Sequence, residues 1–131
     1  MKEPRWISKK GVLAMHAEQL REHGGLPGIR DENLLDSALA RPRNVFAYEE
    51  NPSLFRLAAS YAFGLAKNHP FVDGNKRIAL VVSITFLIAG GWDIDAAKEE
   101  LYLTFLSLAE GSLSEAGLAS WLEAHAISLK R

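Results

Sequence analysis

The 131-residue sequence has no cysteine, which excludes disulfides, thiolate metal centres and a cysteine nucleophile, and fits a reducing cytoplasm. Charge excess is missing too. With 15 Lys+Arg against 16 Asp+Glu, no global field draws the chain to nucleic acid or an anionic membrane, so a macromolecular partner must be chosen locally. Residues 78–89 form the longest apolar stretch, but Ser83 and Thr85 interrupt it and it is too short to cross a bilayer; residues 1–6 hold no apolar signal region. Repeats, low-complexity tracts and linkers are absent. What the chain does have is 48% hydrophobic residues, enough at this length for one sizeable core. A single domain over 1–131, soluble and cytoplasmic, is expected.

The few glycines and prolines punctuate a helical pattern. Ser8 reads as an N-cap, with Ile7 and Val12 as a hydrophobic staple and Gly24-Gly25 as the stop. A short second helix is predicted over 31–41. Asp31 caps it, Leu34, Leu35, Ala38 and Leu39 form its buried stripe, and Pro42 ends it. Residues 43–50 have no helical period, and Val45-Phe46-Ala47-Tyr48 alternates weakly, which predicts an exposed flap or short extended segment. Asn51-Pro52 then reads as the cap and first-turn proline of a third helix, with Leu54, Leu57, Ala58, Tyr61 and Leu65 on one face.

Residues 75–89 are apolar nearly all round and rich in β-branched side chains, so composition alone would allow a buried strand. Their length, closed by Gly90-Gly91, suits a helix, and all-round apolarity makes it a central one. Two more amphipathic helices are predicted over about 95–109 and 112–129, the latter with a Ser112/Glu115 capping box and an apolar face including Leu118, Trp121 and Leu122. The expected fold is all-α, a compact bundle of about six helices around a central one.

The chemistry is concentrated in His69-Pro-Phe-Val-Asp-Gly-Asn-Lys-Arg77, at the foot of that central helix, where unpaired N–H groups and the positive dipole end suit a phosphate. His69, in a loop before Pro70, could take a proton from an attacking hydroxyl, although a histidine there can equally cap the preceding helix. Asp73 is a good N-cap and, with its carboxylate facing outward, could share a magnesium ion with nucleotide phosphates. Gly74 and Asn75 supply a turn that admits positive φ and brings backbone N–H groups close to an anion. Lys76 and Arg77 fall in the first helical turn, where cations oppose the dipole unless a polyphosphate lies there. Phe71 anchors the loop by packing. His16 and His125, on amphipathic helices, and His23, near a helix end, read as packing or capping residues. A His69/Asp73 zinc pair is disfavoured because Pro70 and Gly74 break the helix that would align the two.

The nine-residue stretch resembles the signature of the Fic/Doc family, and the chain as a whole is similar to its death-on-curing (Doc) toxin branch. Gly28-Ile-Arg-Asp31, Leu34-Leu-Asp-Ser-Ala-Leu-Ala-Arg-Pro42 and Ala58-Ala-Ser-Tyr61 extend the resemblance. It implies a helical bundle with the motif between two central helices, His69 as general base, Asp73 orienting Mg2+, Gly74 and Asn75 as the anion-binding turn and Arg77 as a phosphate clamp. Lys76 stands where AMP-transferring members have a second glycine, and Leu80 where they have a second arginine. In Doc-type relatives this pattern accompanies a reversed ATP and transfer of its terminal phosphate to a threonine of elongation factor Tu, so phosphate transfer is the first reading. AMP transfer, a different nucleotide or target, and a catalytically degenerate binding module stay open. The inhibitory Ser/Thr-x-x-x-Glu-Gly/Asn motif of some members has no match, since Ser107-Leu-Ala-Glu110-Gly111 is wrongly spaced. The resemblance therefore implies a separate antitoxin over the cleft. Residues 43–50 are a candidate flap for strand-like docking of the target.

Overall fold

The first helix starts where Ser8 Oγ accepts the Gly11 N–H and stops where Gly24, at φ 77°, leaves helical geometry. In the computed structural model, which describes residues 2–129, this is α1 (Lys9–His23). Met1, Lys130 and Arg131, part of the expected 1–131 unit, lie outside the described residues. There follow α2 (Glu32–Tyr48), α3 (Leu54–Asn68), α4 (Asn75–Ala89), β1 (Trp92–Ile94), α5 (Lys98–Glu110), α6 (Glu115–Ala124) and β2 (Ala126–Ser128). The described residues thus form a mainly helical bundle, with one small antiparallel ribbon pairing Trp92 with Ser128 and Ile94 with Ala126.

The central place is shared by two helices. α4 buries Ile78, Ala79, Val82, Ser83, Phe86 and Leu87, while α3 is buried nearly all round and meets α2, α4, α5 and α6. Close approach of α2 to α3 depends on Gly64, where a Cβ would stand 3.1 Å from Ala38 Cα. Tyr61, fully buried in α3, accepts the Ile7 N–H at 3.0 Å and packs on Phe86, so the segment before α1 is drawn onto the core.

Four expectations are corrected. Pro42 does not end α2, and residues 43–48 are helical, so the flap expected over 43–50 is absent. Proline inside a helix costs about 3 kcal/mol. The continued turn buries Pro42 and sets Phe46 edge-on against Trp6 and Arg43 over the Trp6 ring, contacts between residues distant in sequence that offset the cost. α3 is capped by Ser53, whose Oγ accepts the Arg56 N–H, and not by Asn51, which turns the chain at φ 47° with Pro52 buried before the cap. The capping residue of α6 is Ser114, not Ser112, because Glu115 is occupied by Arg41 and Arg56. Finally, residues 95–97 and 126–128 are not helical. The Asp95 N–H bonds the His125 carbonyl and the Leu129 N–H bonds Gly91, which pairs the two extended segments.

Candidate active site

The turn between α3 and α4 begins with His69, which ends α3 in left-handed geometry (φ 51°, ψ 52°). A histidine tolerates that region better than most residues, at a cost on the order of 1 kcal/mol. Arg30 steadies it, its Nε donating to the His69 carbonyl at 2.6 Å and its Nη2 to the Asn68 carbonyl at 2.8 Å, at the negative end of the helix dipole. Residues 28–31 run alongside. Arg30 N and Asp31 N both donate to the Pro70 carbonyl, Val72 N donates to Gly28, and Ile29 bridges to Phe71.

The turn has an inner and an outer side. Phe71 is fully buried, as the sequence indicated, and stacks on the buried His16 ring at 3.8 Å. Asn75 is also inside, 3% exposed. Its Oδ1 accepts the Phe71 N–H and its Nδ2 donates to the Phe71 carbonyl, each at 3.0 Å, which settles the orientation of the amide. The same Nδ2 faces His69 Nδ1 at 3.0 Å, so Nδ1 accepts and the neutral ring carries its proton on Nε2. The Asn75 side chain therefore holds the turn together, and only its backbone N–H is left for an anion.

Outside stand His69, Asp73, Lys76 and Arg77, all exposed. With Val72, Gly74, Asn75 and Tyr102 they line one cleft of about 290 Å³. All six residues singled out from the sequence thus meet at one place. Gly74, at φ 79°, is the N-cap of α4 with no side-chain cap bond, so Asp73 is not the N-cap that its residue type suggested. Its carboxylate is turned outward and accepts N–H groups from Gly74 (2.9 Å) and Leu26 (3.1 Å). Gly25 sits against it at φ 125°, where a Cβ would come within 3.0 Å of Asp73 Oδ2.

The first intrahelical bond of α4 runs from Ile78 N to Gly74 O, which leaves the N–H groups of Asn75, Lys76 and Arg77 without helical partners. Among the described residues no carboxylate lies within ion-pair distance of Lys76 or Arg77. Two unpaired cations and three free N–H groups at a positive dipole end are groups that can receive an anion. A divalent cation would fit only in company. No group of three or more His, Cys, Asp or Glu capable of holding a metal occurs among the described residues, while each Asp73 oxygen accepts one hydrogen bond and keeps a second lone pair unused. One carboxylate plus phosphate oxygens is a usual magnesium donor set. Arg77 and Tyr102 also border a larger, mainly apolar cleft of about 630 Å³ that includes Leu80, Val81 and Leu103.

A model of the Fic/DOC family matches residues 6–87, the span that contains α1 to α3, the turn and nearly all of α4. The chain belongs to the Fic/DOC family. It is 34% identical over 118 residues to "Protein kinase doc" of Escherichia phage P1, an alignment covering 90% of this chain and 93% of that protein. It is 41% identical over 83 residues to "Toxin Doc" of Mycolicibacterium smegmatis, covering 58% of this chain and 64% of that protein. Within the Fic/DOC match lie supports that residue-type reasoning missed, namely Arg30, the backbone of Leu26 and the part His16 plays in the turn. A signal for His16 was available: Val12, His16 and Leu20 recur at four-residue spacing on the buried stripe of α1. Tyr102 lies outside the match and had no sequence signal.

Proposed function

We propose that this chain is the toxin of a toxin–antitoxin pair, a single cytoplasmic domain that transfers the γ-phosphate of ATP to a Ser/Thr hydroxyl of a translation factor of the elongation factor Tu type and so arrests translation and growth. The observation that carries the reading is the pair of unpaired cations, Lys76 and Arg77, at the open N-terminus of α4 in the same cleft as His69 and Asp73. The name of the phage P1 relative favours a kinase over other transferases.

In this mechanism the free N–H groups of residues 75–77, Lys76 and Arg77 bind and orient the phosphates, which is most of what phosphoryl transfer asks of a protein. Asp73 would hold Mg2+ jointly with the nucleotide, and the ion when bound neutralises charge developing on the phosphates. The target oxygen forms a bond to the γ-phosphorus, the bond to the β-phosphate oxygen breaks, ADP leaves, and the hydroxyl proton passes to His69. To receive it, the ring must present a bare nitrogen to the cleft, giving up the Asn75 contact by turning over about Cβ–Cγ or by exchanging its tautomer. That costs about 1 kcal/mol, small against the roughly 10²- to 10⁴-fold that a positioned base supplies. Lys76 is the residue that favours phosphate over AMP transfer, since a side chain there narrows the anion site that a glycine would leave open. A separate antitoxin covers the cleft, and the exposed apolar rim of Leu26, Val72, Tyr102 and Leu103 offers it a surface.

The test incubates the protein with purified elongation factor Tu, Mg2+ and ATP labelled at the α or the γ phosphate. Label moving from the γ position alone is expected. Transfer from the α position alone would establish an AMP transferase. No transfer from either, with the thermal transition of the fold intact, would leave a binding module. In Lys76→Gly, unchanged transfer chemistry would show that Lys76 does not select the transferred group.

A further inference from the structure

His16 is 5% exposed and no step of the proposed chemistry uses it. Its Nε2 lies 2.8 Å from the Asp73 carbonyl oxygen. A carbonyl only accepts, so Nε2 carries the hydrogen and donates. The ring stacks on Phe71 with centroids 3.8 Å apart and planes 14° from parallel, which locks its own rotation. The carbonyl it holds belongs to the same peptide group as the Gly74 N–H, and that N–H is bound by Asp73 Oδ1 at 2.9 Å. The tilt of this one peptide therefore sets the direction of the carboxylate. The other oxygen, Oδ2, accepts from Leu26 N at 3.1 Å, in the segment that follows the helix bearing His16. Asp73 is thus reached from α1 by a side chain at its carbonyl and from the segment after α1 by backbone at its carboxylate.

We propose that His16 is a positioning residue for Asp73, holding the 73–74 peptide so that the carboxylate faces the cleft ready to share a cation with a nucleotide phosphate. The cation part rests on the phosphotransfer reading above. A histidine that only filled the core would contribute through its ring. A positioning histidine contributes through its N–H as well, and the two contributions can be separated. His16→Phe keeps a flat ring against Phe71 and removes the donor. His16→Gln keeps an N–H near the Nε2 position and removes the ring.

The experiment measures amide hydrogen exchange at Gly74 and Leu26 by NMR, together with the thermal midpoint, in the wild type and both variants. In His16→Phe the two amides are expected to exchange about tenfold faster, as loss of one hydrogen bond implies, while the midpoint stays above that of His16→Gln. In His16→Gln the order reverses, with a lower midpoint but exchange at Gly74 and Leu26 close to wild type. Exchange that merely follows the midpoint across the two variants overturns the proposal. Should His16→Phe fail to fold, His16→Gln decides alone, since fast exchange there removes the positioning role. A second measurement titrates Mn2+ with ADP and follows paramagnetic broadening at Gly74 and Leu26. Half-broadening is expected to need about tenfold more Mn2+–ADP in His16→Phe than in the wild type, and equal titrations would overturn the link to the cation. No broadening in the wild type at all would refute the cation-sharing part along with the phosphotransfer reading, while the exchange data would still decide whether His16 positions Asp73.

Discussion

Two of the turns that join consecutive helices in this protein are held in different ways. Between α5 and α6, the N–H groups of Gly111, Ser112 and Leu113 all reach back to the Ser107 carbonyl, and Ser114 Oγ accepts the Gly117 N–H. Each of these partners lies within a few residues, and long-range ties reach only the flanking helix ends, Lys67 at the Ala109 carbonyl and Arg41 and Arg56 at Glu115. Between α3 and α4, the turn is held by Arg30 at the His69 carbonyl, by His16 at the Asp73 carbonyl, by Leu26 at the Asp73 carboxylate and by Gly28 at Val72. Those partners come from α1 and the segment after it, about 40 to 60 residues away in the chain. A turn whose bonds are local only has to connect. One that must keep an imidazole, a carboxylate and two cations in a common cleft needs its backbone fixed from outside as well as by Asn75 within, because His69, Asp73, Lys76 and Arg77 face outward.

The difference can be broken at its sharpest point with His69→Ala. Phosphate transfer is expected to fall at least 10²-fold, without loss of the thermal transition, since an exposed imidazole adds little to the core; transfer within threefold of wild type would remove the assigned role. Next in size is Asn75→Ala, which leaves the buried Phe71 N–H and carbonyl without their partner and should cost about 3 kcal/mol in urea unfolding. A cost under 1 kcal/mol would mean that the turn is not held from within as described. Ser114→Ala, in the locally held turn, is expected to cost about 1 kcal/mol, the usual worth of an N-cap, and to leave transfer unchanged; a drop in transfer would show that the two turns are coupled.

The smallest effect concerns pH. Burial raises the Tyr61 phenol above its ordinary 10.0, and the Ile7 N–H it accepts works against that shift without cancelling it. The folded chain then holds this proton more tightly than the unfolded chain. Its contribution to stability is complete below pH 10 and is lost as pH rises through the folded value. Tyr61→Phe should flatten that alkaline decline in thermal midpoint, and an identical slope would exclude Tyr61 as its source.

What could be seen beforehand follows the same division. The caps at Ser8 and Asp31, the stop at Gly24 and the length of α4 are signals spread over a few neighbouring residues, and each was legible. Pro42 misled because its local cost is real while its compensation comes from Trp6, some 36 positions earlier. The β1–β2 ribbon was invisible for a related reason, since neither three-residue strand is stable until the other lies beside it. Within the site, the identities of His69, Asp73, Gly74, Asn75, Lys76 and Arg77 were legible, but the direction of Asn75 was not. An asparagine beside a glycine at a helix start reads as an anion ligand, and only the depth of Phe71 turns its amide inward.

By itself, the amino-acid order determined which groups this protein has available for chemistry and that they lie at the start of a helix, because composition, caps and periodicity are properties of neighbouring residues. Only the tertiary structure decided which of those groups face the cleft and which hold it. That choice depends on partners brought in by α1 and by residues 24–31, and the free energy of a hydrogen bond across forty residues is realised only once the chain between its ends has folded.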